Sequence, residues 1–138
     1  MPETAEVDRW LHATLTGDAS LSSLLPGGVW RRLADQNAPF PVCVFQFQGG
    51  ADVATLPGER VMLSGVWLVK AITRDGLGDL PEIVRRVDDL LHLVHRREDI
   101  TPLLSVVREA PFDMTETDQG VTYEHLGALY RIQAKQEE

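Results

Sequence analysis

The clearest hydrophobic pattern in the chain lies between residues 76 and 97. Apolar residues recur there at the i, i+3, i+4, i+7 spacing of one helical face, and they are Leu80, Ile83, Val84, Val87, Leu90, Leu91 and Val94. The pattern predicts an amphipathic helix over 76–97, with Asp79 as its N-cap and Glu82 completing a capping box. Glu82 and Arg86 are four residues apart, a spacing that favours an ion pair on the solvent side. A helix with a single apolar stripe needs one sheet face to pack on.

The residues before this helix predict a second helix and several strands. Apolar residues share one face between Thr4 and Leu15, which indicates an N-terminal helix, and Asp18 can cap a short turn after it. A short strand is predicted at 29–33, a second at 39–48, and a long strand at 61–73. The long strand is apolar on both faces, so it is expected at the centre of a sheet or against another subunit. Residues 49–60 are predicted to form a loop, because they are rich in small residues and too many for a tight hairpin.

The C-terminal third predicts two more strands. The first covers 103–110 and is expected to break at Pro111, an acidic turn follows at 113–120, and the last strand covers 121–133. The prediction is a single α+β domain over 1–133 with a polar tail at 134–138. Its mostly antiparallel mixed sheet has about four to five strands, with the N-terminal helix and the long amphipathic helix on one face.

Composition narrows the possible partners. The 138 residues carry a net charge of −8, which argues against a surface that binds nucleic acid by neutralising phosphates. The N-terminal residues are acidic and no apolar run is long enough to cross a bilayer, so a soluble, cytoplasmic chain without membrane contact is expected. Cys43 is the only cysteine and lies in a predicted strand, so a buried, inert thiol is expected.

Motifs for catalysis or cofactor binding are missing from the sequence. No nucleophile elbow, P-loop or zinc-protease motif occurs, and Gly76-Leu77-Gly78 lacks the third glycine of a dinucleotide fingerprint. We therefore expect no catalytic residue, no metal and no cofactor. One alternative is a metal pair, because His92 and His95 lie three residues apart with Glu98 beyond them.

The polar and aromatic residues outside these motifs have simpler interpretations. The histidines at 12 and 125 are expected at the surface or in an interface. Trp30, Trp67 and Tyr130 are interpreted first as core or sheet-face packing residues and second as binding aromatics.

The order of these features resembles the phage tail-terminator, or tail-completion, family of small α+β proteins. The resemblance covers nearly the whole chain and rests on order rather than on one motif. It is carried by Trp10-Leu11, by the break Leu24-Leu25-Pro26-Gly27-Gly28, by Ala38-Pro39-Phe40-Pro41-Val42-Cys43-Val44, by Ala71-Ile72-Thr73, by the helix with Val87, Leu90 and Leu91, and by the strand from Tyr123-Glu124-His125 to Tyr130-Arg131-Ile132.

The resemblance implies a structural virion protein. Such proteins form a ring, typically of six subunits, that caps the tail tube, ends its polymerisation and joins the tail to the head connector, with assembly in the host cytoplasm. The implied partners are other copies of the chain, the tube protein and the connector protein, while DNA is cargo that passes through the lumen.

Two surfaces are candidates for these contacts. The predicted loop is the candidate for contact with the tube or a neighbouring ring, through Gly49, Gly50, Asp52, Val53, Leu56, Glu59 and Arg60. A ring closed by heterologous contacts needs two different complementary patches on each subunit. The candidate subunit-interface residues are Arg31, Arg32, Trp67, Asp113, Glu116 and Asp118.

Two other functions are compatible with the sequence. A small domain that binds a ligand or partner as a dimer would have a closed pocket around Trp30 or Trp67. A metal-dependent enzyme would use His92 and His95.

Overall fold

A computed structural model describes residues 3–54, 56–93 and 103–135. Its elements are α1 (Glu3–Thr16), α2 (Ala19–Leu24), β1 (Val29–Arg31), β2 (Val42–Ala54), β3 (Arg60–Arg74), α3 (Leu80–Leu91), β4 (Leu103–Asp118) and β5 (Val121–Lys135). The predicted α+β class is confirmed. No helix in these ranges is long and apolar enough to span a membrane.

The five strands form one sheet in the order β1-β2-β3-β5-β4. The β1–β2 pair is parallel and the other three pairs are antiparallel. The two-sided strand β3 is therefore central, which is the first of the two positions that its apolar faces predicted. The edges of the sheet are β1, which is three residues long, and β4, which is sixteen residues long.

One hydrophobic core lies between the helices and one face of the sheet. The apolar stripe of α3 contributes Leu80, Ile83, Val87 and Leu91, all buried, and α1 contributes Val7, Leu11 and Leu15. From the sheet come, among others, Phe45, Trp67, Val69, Ala128, Tyr130 and Ile132. The hydroxyl of Tyr130 donates a hydrogen bond to Asp88 at 3.0 Å, which ties α3 to β5.

Helix α3 is shorter than predicted at its C-terminal end. Leu93 has a positive φ of 59°, and its N–H donates to the carbonyl of Val106 on β4, so the helix has ended before that residue. The predicted ligands His95 and Glu98 fall outside the described residues. Asp79 is the N-cap, as predicted. Its side chain makes no capping hydrogen bond, so the predicted capping box does not form.

Two predicted turns are strands in the structure. β2 continues to Ala54 and pairs with β3 from Arg60, so most of the predicted 49–60 loop is a hairpin. β4 continues through Pro111 to Asp118, so the predicted acidic turn at 113–120 is strand as far as residue 118, and only 119–120 form the turn. β4 tolerates proline because it is an edge strand, where a missing N–H directed outward costs no ladder hydrogen bond. β5 runs two residues past its predicted end, and Ala134 is buried.

Candidate assembly surfaces

The candidate contact segment forms the far end of the β2–β3 hairpin. Its tip extends beyond the last described β3–β5 pair, Met62 with Lys135. Leu56 is fully exposed there, and Val53 and Val61 are more than one-third exposed. Arg60 lies 3.5 Å from Asp52 across the hairpin. The tip therefore presents an apolar side chain to solvent at the end of two paired strands.

The glycines that favoured a loop prediction serve the strand pairing. The register of β2 shifts between Phe47 and Gly49, which marks a bulge, and Gly49 has a φ of 142°. A Cβ on Gly50 would lie 2.3 Å from the carbonyl oxygen of Ser64 on β3. The small residues therefore allow the two strands of the hairpin to approach each other closely.

The basic residues Arg31 and Arg32 lie at the β1 edge of the sheet. Arg31 donates through Nε to a carboxylate oxygen of Asp8 on α1 at 2.5 Å, and its side chain is 51% exposed. Arg32 is exposed and has a φ of 69°. Both residues remain accessible to a partner, although Arg31 already has one ion pair within its own chain.

Trp67 is a core residue, as its first interpretation predicted, and its assignment to a subunit interface is wrong. Its side chain is fully buried in the core between α1 and the sheet. Its indole N–H donates to Asp8 at 2.9 Å, and its ring lies 4.7 Å from that of Phe47. The folded chain leaves no part of Trp67 available to another subunit or to a ligand pocket.

Asp8 is a buried, hydrogen-bonded carboxylate that was not predicted from the sequence. Its carboxylate is almost completely buried and accepts hydrogen bonds from Arg31 and Trp67, so it joins α1 to two strands. A signal was present, because Asp8 falls on the same helical face as Leu11 and Leu15. A charged residue on an apolar stripe indicates a buried partner.

The acidic residues Asp113, Glu116 and Asp118 all lie on β4 and are exposed. Glu116 lies 2.7 Å from Nε2 of His125 on β5. His125 is 4% exposed, so the prediction that it lies at the surface or in an interface is wrong. Its Nδ1 has no hydrogen-bond partner among the described residues. Burial lowers the pKa of the nearby Lys70, and the negative charge of Glu116 opposes this shift.

The basic and acidic residues are at opposite edges of the sheet. Four strand spacings of about 4.8 Å separate β1 from β4, so the two edges are about 19 Å apart. Arg31 and Pro111 end one row of paired residues that runs through Phe45, Val69 and Ala128. The candidate interface residues therefore form two separate patches rather than one cluster.

An open groove between α2 and α3 carries both signs of charge. Arg86 on α3 donates two hydrogen bonds to the carboxylate of Asp18, at 2.9 and 2.6 Å, instead of pairing with Glu82 as predicted. Asp18 also caps α2 through the N–H of Leu21, as predicted. The groove is lined by Ser20, Ser23, Leu24, Glu82, Arg85, Arg86 and Asp89. This mixed lining favours no particular ligand charge.

The candidate metal residue His92 has a structural contact. Its Nδ1 accepts a hydrogen bond from the N–H of Arg108 at 2.9 Å. Within 3–54, 56–93 and 103–135, no three His, Cys, Asp or Glu side chains form a group that could hold a metal ion. Burial raises the pKa of the Cys43 thiol to about 12, so this thiol is not a nucleophile at neutral pH.

Comparison with known proteins gives a fold relationship. No protein-family model matches the sequence, and no curated protein matches it. Among solved structures, the fold is similar to that of a chain from the virion of a native gene transfer agent (GTA) particle, with a TM-score of 0.66. The alignment covers 91% of this chain and 92% of that chain, with 14% sequence identity. The two chains share one fold over almost their whole lengths.

Proposed function

We propose that the chain is a structural protein of a phage-like particle and acts as a tail terminator. Copies of it form a ring, of six subunits by resemblance to the family, that caps the tail tube and joins it to the head connector. The observation that carries the proposal is the fold shared with a virion chain over nearly the full length of both. A particle component of this kind is located in the virion, at the junction of tail and head.

The charge distribution supports a ring. A closed ring uses heterologous contacts, in which two different patches of each subunit meet. The β1 edge carries Arg31 and Arg32, while the β4 edge carries Asp113, Glu116 and Asp118. Opposite charges at opposite edges of one sheet favour head-to-tail association of identical copies. The net charge of −8 also suits a lumen through which DNA passes without adhering.

The hairpin tip supports contact with a second ring or with the tube. Leu56 is fully exposed, and Val53 and Val61 on the same hairpin are more than one-third exposed, so the tip carries an exposed apolar patch of the kind that marks interaction sites. In the proposed ring this tip contacts the tube end, so the hairpin and the two edges serve different contacts.

The proposed function is tested by measuring the mass of the chain in solution across concentration, together with negative-stain imaging with and without tail tubes. Rings of six times the 15.4 kDa subunit, or monomers that form rings on tube ends, are expected. A stable dimer that ignores tubes would contradict the proposal and favour a small binding domain.

A substitution at the tip separates tube contact from ring formation. Leu56→Asp is expected to abolish capping of tubes while leaving self-association unchanged. Leu77→Asp is the matched control, because Leu77 is also an exposed leucine but precedes α3. If both variants capped tail tubes equally well, the hairpin tip would not be the contact with the tube.

A further inference from the structure

The outer edge of β4 is divided into a covered half and an open half. In the covered half, Leu93 donates its N–H to the carbonyl of Val106 at 2.8 Å, and Arg108 donates its N–H to His92 at 2.9 Å. These contacts show which backbone groups of β4 point outward. Outward-facing residues alternate along a strand, and the extra residue at the bulge between Arg108 and Ala110 shifts this alternation by one. Beyond the bulge, the backbone groups that point outward therefore belong to residues 111, 113, 115 and 117.

The open half of β4 is therefore the acidic half. Pro111 lies at its start and has no N–H to leave unpaired, and Asp113 is the first residue with an outward N–H and C=O. In the described ranges, no strand pairs with this side of β4. An unpaired edge of this kind is a template for another strand.

The opposite edge of the sheet is also open in the part of the chain that the structure describes, where no strand pairs with the outer side of β1. Gly28 accepts a hydrogen bond from Cys43, and Arg32 donates one to Phe45, so the backbone groups of these two residues face β2. The alternation then directs those of Val29 and Arg31 outward. The carbonyl of Arg31 accepts from Leu33, and the N–H of Arg31 and both backbone groups of Val29 face away from the sheet.

Strand direction makes the two edges compatible. β1 is parallel to β2, and three successive antiparallel pairs lead from β2 to β4, so β4 runs antiparallel to β1. When copies stand side by side in a ring, β4 of one copy meets β1 of the next as an antiparallel neighbour. A sheet can continue from one copy to the next without inverting either subunit.

The rows of the sheet bring three specific pairs to the same level. Val29 and Asp113 end one row, Trp30 and Phe112 end the next, and Arg31 and Pro111 end the third. Trp30 and Phe112 are both partly exposed and lie on the sheet face opposite the helices. Aromatic pairs directly opposite each other stabilise antiparallel strands.

Charge supplies the second element of complementarity. Arg31 and Asp113 would be diagonal neighbours on the helix-covered face, about 7 Å apart and within reach of an arginine side chain. Arg31 uses Nε for Asp8, and its half-exposed guanidinium retains its terminal nitrogens for a second carboxylate.

We propose that the acidic half of β4 in one copy adds as an antiparallel strand to the β1 edge of the next copy, with Trp30 opposite Phe112 and Arg31 diagonal to Asp113. The partner is a second copy of this chain. This inference rests on the proposed ring, for which it specifies the subunit contact.

Disulfide trapping tests the register. In the Trp30→Cys/Phe112→Cys variant, a mild oxidant is expected to give a ladder of disulfide-linked oligomers on a non-reducing gel. Because the contact is head-to-tail, the largest oligomer of the ladder has as many subunits as the ring. The matched control is Trp30→Cys/Met114→Cys, in which the second cysteine lies on the same face of β4 but two residues away from the row. The buried Cys43 is left in place, and the two single-cysteine variants give the background level of cross-linking.

Charge reversal tests the same contact without cysteines. Asp113→Arg is expected to raise the dissociation constant of the ring contact about tenfold or more, since it places two like charges across the contact. Asp118→Arg makes the same change on the same strand, away from Arg31, and is expected to have a smaller effect. Circular dichroism of each variant checks that it is folded.

The outcomes separate this inference from the proposed function. A ladder from the 30/112 pair alone, together with the selective effect of Asp113→Arg, supports the strand addition. Rings of the unmodified chain with no 30/112 cross-link above background, or with equal effects of the two charge reversals, would overturn the strand addition and leave the terminator proposal standing. A chain that stays monomeric at every concentration and on tube ends overturns both.

Discussion

Replacing Asp8 with alanine tests whether a buried carboxylate fixes α1 to the sheet. The carboxylate accepts from the indole of Trp67 at 2.9 Å and from Arg31 at 2.5 Å. Trp67 is fully buried, so without Asp8 its N–H has neither the carboxylate nor bulk water as a partner. Arg31 is half exposed and can be solvated after the substitution.

The magnitude follows from these two environments. An unsatisfied buried donor costs about 1–3 kcal/mol, and loss of an ion pair with an exposed partner costs about 0–1 kcal/mol. Alanine is the better helix former by about 0.5 kcal/mol, and the carboxylate no longer has to be desolvated. We therefore expect Asp8→Ala to lower the free energy of unfolding by about 2 kcal/mol. Asp8→Asn keeps an acceptor for the indole and should cost about 1 kcal/mol.

The assay is urea unfolding followed by far-UV circular dichroism at neutral pH and low concentration, where self-association adds least to stability. Circular dichroism is used instead of tryptophan fluorescence, because the double-mutant cycle includes Trp67→Phe and this substitution removes a fluorophore. The cycle should give a coupling of about 1–2 kcal/mol between Asp8 and Trp67. The matched control is Arg9→Ala, at the exposed next position of α1.

The expected order of the free-energy losses is Asp8→Ala, then Asp8→Asn, then Arg9→Ala. If Asp8→Ala cost no more than Arg9→Ala, or if the coupling with Trp67 were near zero, the result would show that the indole hydrogen bond does not hold α1 in place.

Three further predictions concern the sheet, α2 and the buried thiol. Gly127→Ala should lower the free energy of unfolding in urea by about 1–3 kcal/mol, because its Cβ would lie 2.2 Å from the carbonyl oxygen of Val69; an unchanged midpoint would contradict this contact. The hydrogen bonds from Arg86 hold the pKa of Asp18 below its ordinary value of 3.8, so the pair stabilises the fold above that pH and loses its contribution as the pH falls through the folded-state pKa. The stability lost in Arg86→Gln should therefore be largest near neutral pH and shrink in acid, and a loss independent of pH from 7 to 2 would count against the pair. Burial raises the pKa of Cys43 to about 12, so a thiol reagent at pH 8 should modify it in urea but not in the native protein, and rapid native modification would show an accessible thiol.

Local periodicity predicted the elements that depend on few distant contacts. The apolar stripe of α3 buries Leu80, Ile83, Val87 and Leu91, as the spacing indicated. The cap of Asp18 on α2 was also predictable, because donor and acceptor are three residues apart. The two apolar faces of β3 predicted its central position.

Element ends depended on distant partners and were predicted less well. α3 stops where Leu93 bonds to Val106, a residue of β4. β4 continues past Pro111 because it is an edge strand, and edge position is a property of the sheet order. The glycines of 49–60 indicated a loop, whereas pairing with β3 made most of the segment a strand.

The sequence by itself determined the α+β class, the sheet-covering stripe of α3, the single buried cysteine and the acidic charge, because these follow from composition and from contacts within a few residues. Only the tertiary structure decided that the partner of Trp67 is Asp8, 59 residues away, and that Arg86 pairs with Asp18, 68 residues away. It also decided that the basic and acidic residues occupy opposite edges of one sheet. Hydrogen bonds and ion pairs select the nearest partner in space, and the sheet order, which brings distant residues together, is not encoded in any short stretch of sequence.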